Sequence, residues 1–326
     1  MTPHPKPPLL SVRNLSIRFR TGDGMVHAVN DVSFDIARGQ KLAVVGESGS
    51  GKSQIALSIM GLLARNAQAE GEILFDRSNL LKLPTSELNN IRAREIGIIF
   101  QDPMSSLNPY MTIERQLGEI VELHEGASRS TARKRALEVM DAVRIPDAKN
   151  RLKSYAHEFS GGMRQRVVIA MALMCQPKLI LADEPTTALD VTVQAQIMQL
   201  LDDIQRDLGT SIVLITHDLG LVAGFCEDTL VLYGGRIMEQ APTLEIFEKP
   251  GHPYTRGLLR AVPNIGDPAA KLLAIPGSPP NQRRAIASCP FHPRCVDAVT
   301  DCAEKLPQLD GGNSKRACLR PVEELT

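Results

Sequence analysis

Nowhere in these 326 residues do about eighteen apolar residues run together, the length that a membrane-crossing helix needs. The chain therefore reads as holding no membrane span, and any passage through a bilayer falls to other subunits. The nearest approach is Val167–Cys175, which follows Arg164 and Arg166 and reads as a buried helix. Charge of one sign is not in excess either. The 37 basic residues are matched by 37 acidic ones, so no global field favours nucleic acid. The start, Met1–Pro8, lacks the apolar core of a signal peptide. Aromatic rings are scarce, with eight Phe, four Tyr and no Trp, which leaves few residues able to stack on a nucleobase. A hydrophobic share of 43% is nonetheless ample for a core, in a chain longer than one average domain.

What is present begins with Gly46-Glu47-Ser48-Gly49-Ser50-Gly51-Lys52-Ser53, which has the P-loop form G-x-x-x-x-G-K-[ST]. It follows the strand-like run Lys41–Val45 and precedes the helix-like run Ser53–Leu63, the context that this pattern requires. Glycines let backbone N–H groups turn inward around phosphate oxygens, and the helix N-terminus adds its positive dipole end. Lys52 is expected on the β- and γ-phosphates, and the Ser53 hydroxyl on Mg²⁺. Downstream, apolar Leu179–Leu181 reads as a buried strand that delivers Asp183 and Glu184 at its C-terminal end. Ligands of open α/β sheets bind at that edge. Asp183 is then expected to face Mg²⁺, and Glu184 to orient or deprotonate an attacking water.

Phe159-Ser160-Gly161-Gly162-Met163-Arg164-Gln165 separates one P-loop family from the rest. It resembles the signature of ATP-binding-cassette (ABC) proteins. Gln101, after the strand-like Ile96–Phe100, resembles the Q-loop glutamine of that family. Ala188-Leu189-Asp190 resembles the D-loop, and His217, after Ile212–Thr216, the switch histidine. The likeness runs from about Leu9 to Gln240 in order and spacing.

The resemblance implies an α/β P-loop cassette: a mostly parallel sheet, an antiparallel β subdomain, an inserted helical subdomain and a small Cys-containing extension. It implies ATP binding by Gly46, Ser48, Gly49, Ser50, Gly51, Lys52, Ser53, Gln54 and Asp183, with Mg²⁺ held by Ser53, Gln101 and Asp183. Glu184, Gln101 and His217 take the catalytic roles. Two cassettes sandwich two ATPs head to tail in the family, so Ser160, Gly161, Gly162 and Asp190 serve the nucleotide across a dimer. Phe19 is the best candidate for the ring that stacks on adenine, and by alternation it could equally be a half-buried strand residue.

The organisation reads as residues 1–101 with P-loop and Q-loop, 102–158 helical, 159–240 with signature, acidic pair and switch, and 241–326 as an extension. In the second part, Thr131–Val143 carries apolar residues three and four apart, and its Arg and Lys form a solvated face. Gln101–Pro109 resembles the form seen in peptide importers. His252-Pro253-Tyr254 followed by a short apolar helix resembles the C-terminal extension of oligopeptide and dipeptide importer ATPases. Within it lie Cys289, Cys295, Cys302 and Cys318, spaced C-x₅-C-x₆-C-x₁₅-C. A reducing cytosol argues against disulfides, and the spacing lacks the C-x₂-C knuckles usual for structural zinc. A [4Fe–4S] cluster is the expectation, with zinc (His292 as a further ligand) and no metal as alternatives. Clamping a tail of few apolar residues is a sufficient role for it, and redox sensing the sharper one. Cys175 and Cys226, in apolar helical contexts, read as inert core residues.

These expectations converge on an ATP-hydrolysing subunit that powers peptide uptake from the cytoplasmic face of the inner membrane, as a peripheral protein. Its partners are two transmembrane permease subunits, a second and related ATPase chain and, indirectly, an extracytoplasmic substrate-binding protein. A nickel-chelate or opine importer is the alternative. A cassette acting on DNA or ribosomes fits less well, since double cassettes, long coiled coils and basic patches are missing.

Overall fold

The computed structural model describes residues 7–187, 189–261 and 274–325. Ala188 of the D-loop reading and most of the Met1–Pro8 segment lie outside the described residues. The chain divides into two compact units: 1–37 with 41–82 and 215–326, and 38–40 with 83–214.

In the first unit the strand Leu10–Thr21 lies between Gly24–Ile36 and Ala67–Phe75 in an antiparallel sheet, with Leu10 opposite both Ile36 and Phe75. Alternate residues such as Leu15 and Ile17 are buried, as the period of two requires. A second strand set pairs Lys41–Val45 in parallel with Asp228–Tyr233, which turns back antiparallel into Arg236–Pro242. Lys315–Arg316 then adds to the outer edge of Arg236–Pro242, Glu239 facing Arg316. The C-terminal extension thus covers an edge strand that would otherwise present unpaired backbone.

The His-Pro-Tyr motif anchors that extension. Pro253 opens the helix Pro253–Arg260, and the His252 ring accepts the Tyr254 N–H at 3.0 Å as its cap. Burial pushes the His252 pKa down to about 3, so the ring stays neutral and keeps its acceptor nitrogen. The Glu239 carboxylate accepts the N–H groups of Gly251 and His252 at 2.5 and 3.0 Å, and burial pushes its own pKa up. Tyr233, Tyr254 and Phe291 pack with ring centroids 4.6 to 5.3 Å apart, close to the spacing that aromatic pairs prefer. Scarce aromatics are spent at this junction.

In the second unit Ile96–Ile99 and Leu179–Asp183 pair in parallel, Ile96 opposite Leu179, and Ser211–Thr216 is next in order. All five residues of Leu179–Asp183 are buried, which is why the run is apolar without alternation. The helix Gly161–Leu173 buries Val167, Val168, Ile169, Ala170 and Leu173, in line with the expected core helix. Helices Ile113–Glu125 and Arg129–Ala142 are capped by Thr112 and Ser128, each accepting from a backbone N–H three residues on. The two helices bury Leu117, Val121, Ala132 and Ala136, while Arg133 and Arg135 pair with Glu114 and Glu125. Cys175 and Cys226 are buried, and burial pushes the Cys175 thiol up to about 12 and Cys226 up as well. Among the described residues no helix is long and apolar enough to cross a membrane.

Candidate functional site

The P-loop connects the strand Lys41–Val45 to the helix Lys52–Ile59. Gly51, the residue before that helix, has φ +99°, and a Cβ there would stand 2.3 Å from the Ala28 carbonyl oxygen. Only glycine tolerates that combination. Lys52 is 5% exposed, and its ammonium donates to the carbonyls of Gly46 and Glu47 at 2.7 and 2.9 Å. The lysine thus braces the loop it belongs to. Ser50 is buried with its hydroxyl lacking a hydrogen-bond partner, an incomplete polar group inside the loop. Ser48 and Gly49 are exposed, and Ser53 and Gln54 half-buried, at the loop and the helix start. Ser48 and Gly49 border a cavity of about 350 Å³, closed from the side of the extension by Pro280, Gln282 and Arg283. Phe19 is half-buried in its strand, paired with Val26 and Ala67. His217 is exposed directly after Ser211–Thr216.

In the second unit the structure brings two predicted residues together. The Gln101 amide donates to the Glu184 carboxylate at 3.0 Å, although 83 residues separate them. Thr187, which sequence reasoning missed, donates its hydroxyl to the same oxygen at 2.9 Å. Glu184 sits at φ +47°, a strained turn directly after the buried Asp183. Asp102, next to Gln101, caps the short helix Pro103–Ser106 by accepting the Met104 N–H at 2.8 Å. This fixes the direction in which Gln101 leaves its strand.

The signature residues have local work as well. Ser160 caps Gly161–Leu173 by accepting the Met163 N–H at 3.4 Å, and Asp190 caps Val191–Leu208 by accepting from Val193 at 3.0 Å. Gly161 is exposed at that helix start. A Cβ at Gly162 would lie 2.7 Å from a Val193 methyl, so glycine is needed for the two helices to meet. Helix N-termini of this kind suit an anion.

Cys289, Cys295, Cys302 and Cys318 all line one small cavity, together with His292 and Asp297. All four are free thiols, and burial pushes Cys289 and Cys295 up to about 11. Among the described residues, however, no group of three or more His, Cys, Asp or Glu side chains is arranged to hold a metal ion. The iron–sulfur expectation is therefore not supported by the arrangement of these side chains.

A loop of P-loop form, an acidic pair closing a buried strand and a Ser-Gly-Gly helix start are the features of an ABC ATPase cassette. The chain matches the family described as "ABC transporter" over residues 29–187 and "Oligopeptide/dipeptide transporter, C-terminal region" over residues 238–302. It is similar to the "Oligopeptide transport ATP-binding protein OppD" of Salmonella typhimurium, 52% identical across 99% of this chain and 97% of that one. It is also 48% identical to the "Dipeptide transport ATP-binding protein DppD" of Bacillus subtilis, across 92% of this chain and 90% of that one. The solved "Dimeric Structure of MJ0796, a Bacterial ABC Transporter Cassette" superposes with a TM-score of 0.65 at 31% identity, covering 72% of this chain and 98% of that one. The same cassette is also known in a post-hydrolysis state bound to ADP and Pi. This chain belongs to the ATP-binding subunits of the oligopeptide/dipeptide ABC transporter family.

Proposed function

We propose that this protein hydrolyses ATP to drive peptide uptake through two transmembrane permease subunits at the cytoplasmic face of the inner membrane. The observation that carries this reading is likeness over nearly the whole chain, cassette and extension together, to oligopeptide transport ATP-binding proteins. In the proposed cycle, ATP docks on Gly46–Ser53, and Lys52 turns from the loop carbonyls to the phosphates. A second cassette, a related but different chain, offers its own signature helix start, and Ser160, Gly161 and Gly162 here serve the partner's nucleotide. Asp190 is proposed to serve the same nucleotide. Glu184, its carboxylate oriented by Gln101 and Thr187, takes the proton of the attacking water, with His217 as the switch. Ser53, Gln101 and Asp183 would be the oxygen donors for Mg²⁺, whose charge would offset that of the phosphates. Exposed Phe100, Met104 and Tyr110 flank Gln101 in the helical part and offer apolar contact to a permease. A substrate-binding protein on the far side delivers the peptide.

Proteoliposomes holding this chain, its sister ATPase and both permeases test the reading. ATP-dependent accumulation of short peptides is expected. Uptake of a nickel chelate or an opine without peptide uptake would replace the substrate assignment.

The four extension cysteines are proposed to hold a [4Fe–4S] cluster. The reading rests on donor type, since thiolate sulfur is the usual ligand of such clusters; the four cysteines line one cavity but are not arranged there as a metal-holding group. When bound, the cluster would cross-link the extension, which carries little core of its own. Anaerobically purified protein is expected to contain about four irons and matching acid-labile sulfide, absorbing near 400 nm. Cys295→Ser is expected to lose both, whereas zinc or no metal in the unmodified protein would refute the assignment.

A further inference from the structure

Glu47 lies inside the phosphate loop, yet its side chain is held entirely by the C-terminal extension. Its N–H donates to the Tyr254 hydroxyl at 2.9 Å. Its two carboxylate oxygens accept from the two terminal nitrogens of Arg294, at 2.8 and 3.1 Å. The side chain of Arg294 is only 6% exposed. Its other N–H groups go to the Tyr233 hydroxyl at 3.1 Å and the Pro276 and Ile275 carbonyls at 2.8 and 3.2 Å. All five N–H donors of the guanidinium are thereby placed, which leaves the group one orientation. Two residues further along the loop, the Gly49 carbonyl accepts from the Gln282 amide at 2.7 Å.

These contacts reach the phosphate-binding lysine. The Glu47 carbonyl is one of the two acceptors that hold Lys52. The Glu47 N–H shares a peptide plane with the Gly46 carbonyl, the other acceptor of Lys52, so the bond to Tyr254 fixes that plane while the grip on the carboxylate fixes the Glu47 side chain beside it. A bidentate charge pair with one buried partner is an inefficient way to add stability alone, because desolvation of the guanidinium offsets much of its attraction. It is an efficient way to impose geometry, since a fork on a carboxylate tolerates little rotation.

We propose that Arg294 is a positioning residue for the nucleotide site: gripping Glu47, it sets the phosphate loop, so the extension governs ATP affinity. The proposal rests on the reading of that loop as the ATP site. Arg294 lies one residue before Cys295, in the short turn His292–Arg294, so the cysteine-lined module and the phosphate loop share one rigid connection.

The test measures ATP affinity by equilibrium titration of the full chain, beside thermal unfolding of each variant. Arg294→Gln and Glu47→Gln are each expected to weaken ATP binding about tenfold, as loss of a well-formed charged contact does. The double variant is expected to be no weaker than the poorer single one, because the two changes break one interaction. KM for ATP should rise while kcat at saturating ATP stays within about twofold, the pattern of lost binding rather than lost chemistry. A pair that only docks the extension would lower the unfolding temperature and leave ATP affinity unmoved, and that result overturns the proposal. So does multiplication of the two single effects in the double variant. Should both fail to fold, Tyr254→Phe removes only the hydroxyl that receives the Glu47 N–H. Its ATP affinity must then fall, and unchanged affinity overturns the clamp. Wild-type protein that binds no ATP would instead sink the nucleotide reading itself.

Discussion

Lys52→Ala is expected to abolish ATP binding at millimolar nucleotide, with an affinity loss of roughly a hundredfold or more. The estimate follows from removing charged hydrogen bonds to phosphate, each worth about 1.5–3 kcal/mol, where 1.4 kcal/mol is a factor of ten. The loss has a second source. Lys52 is buried and donates to the carbonyls of Gly46 and Glu47, so its removal also unpins the loop. Fluorescent-nucleotide titration measures the affinity, and a thermal scan of the same variant separates the two contributions. Lost binding with an unfolding temperature near that of the wild type places the effect on the phosphates. Binding within about tenfold of wild type would show that backbone N–H groups of the cradle suffice without the lysine.

Glu184→Gln is expected to separate binding from chemistry. The substitution keeps the shape and one acceptor oxygen, so Gln101 and Thr187 can still hold the side chain. It removes the group that takes a proton from water. Turnover should fall about 10²–10⁴-fold, the usual contribution of a positioned general base, with ATP affinity retained. In the assembled transporter the variant should trap ATP and hold the two cassettes together, visible as a stable dimer on size exclusion. The strained backbone at φ +47° is unchanged by this exchange, so folding stability should also hold. Hydrolysis at the wild-type rate would remove Glu184 from its catalytic role and shift attention to Asp183 or His217.

Both predictions concern residues that local sequence identifies, and the reason is physical. A loop that cradles phosphate with its own backbone needs glycine at fixed intervals and one lysine within reach. Its chemistry is therefore written in eight consecutive residues, Gly46–Ser53. The same holds for the strand Leu179–Asp183, whose burial on both faces demands an unbroken apolar run before the acids. The helix starts at Ser160 and Asp190 rest on equally local contacts, because each capping side chain acts on an N–H three residues away. Gly162 was legible as a motif residue. Its packing against Val193 was not, since that contact joins two helices.

The extension marks where such reading stops. Its His-Pro-Tyr motif is visible as a pattern, yet the burial of His252 and its link to Glu239 depend on an edge strand elsewhere in the chain. Four cysteines at irregular spacing named a metal. The folded arrangement gathers them around one cavity without forming a metal-holding group among the described residues. Thr187 reaches Glu184 across one turn, but threonine after an acidic pair carries no signal of its own.

The family and the residues proposed to bind phosphate are legible in the amino-acid order, because their motifs each lie within one turn, one strand or one loop. The grip of Arg294 on Glu47 is not, for it joins residues 247 positions apart. No spacing rule relates such a pair. Only a chain whose extension has already paired with the Arg236–Pro242 edge, and packed Tyr254 and Phe291 on Tyr233, brings that guanidinium to the phosphate loop.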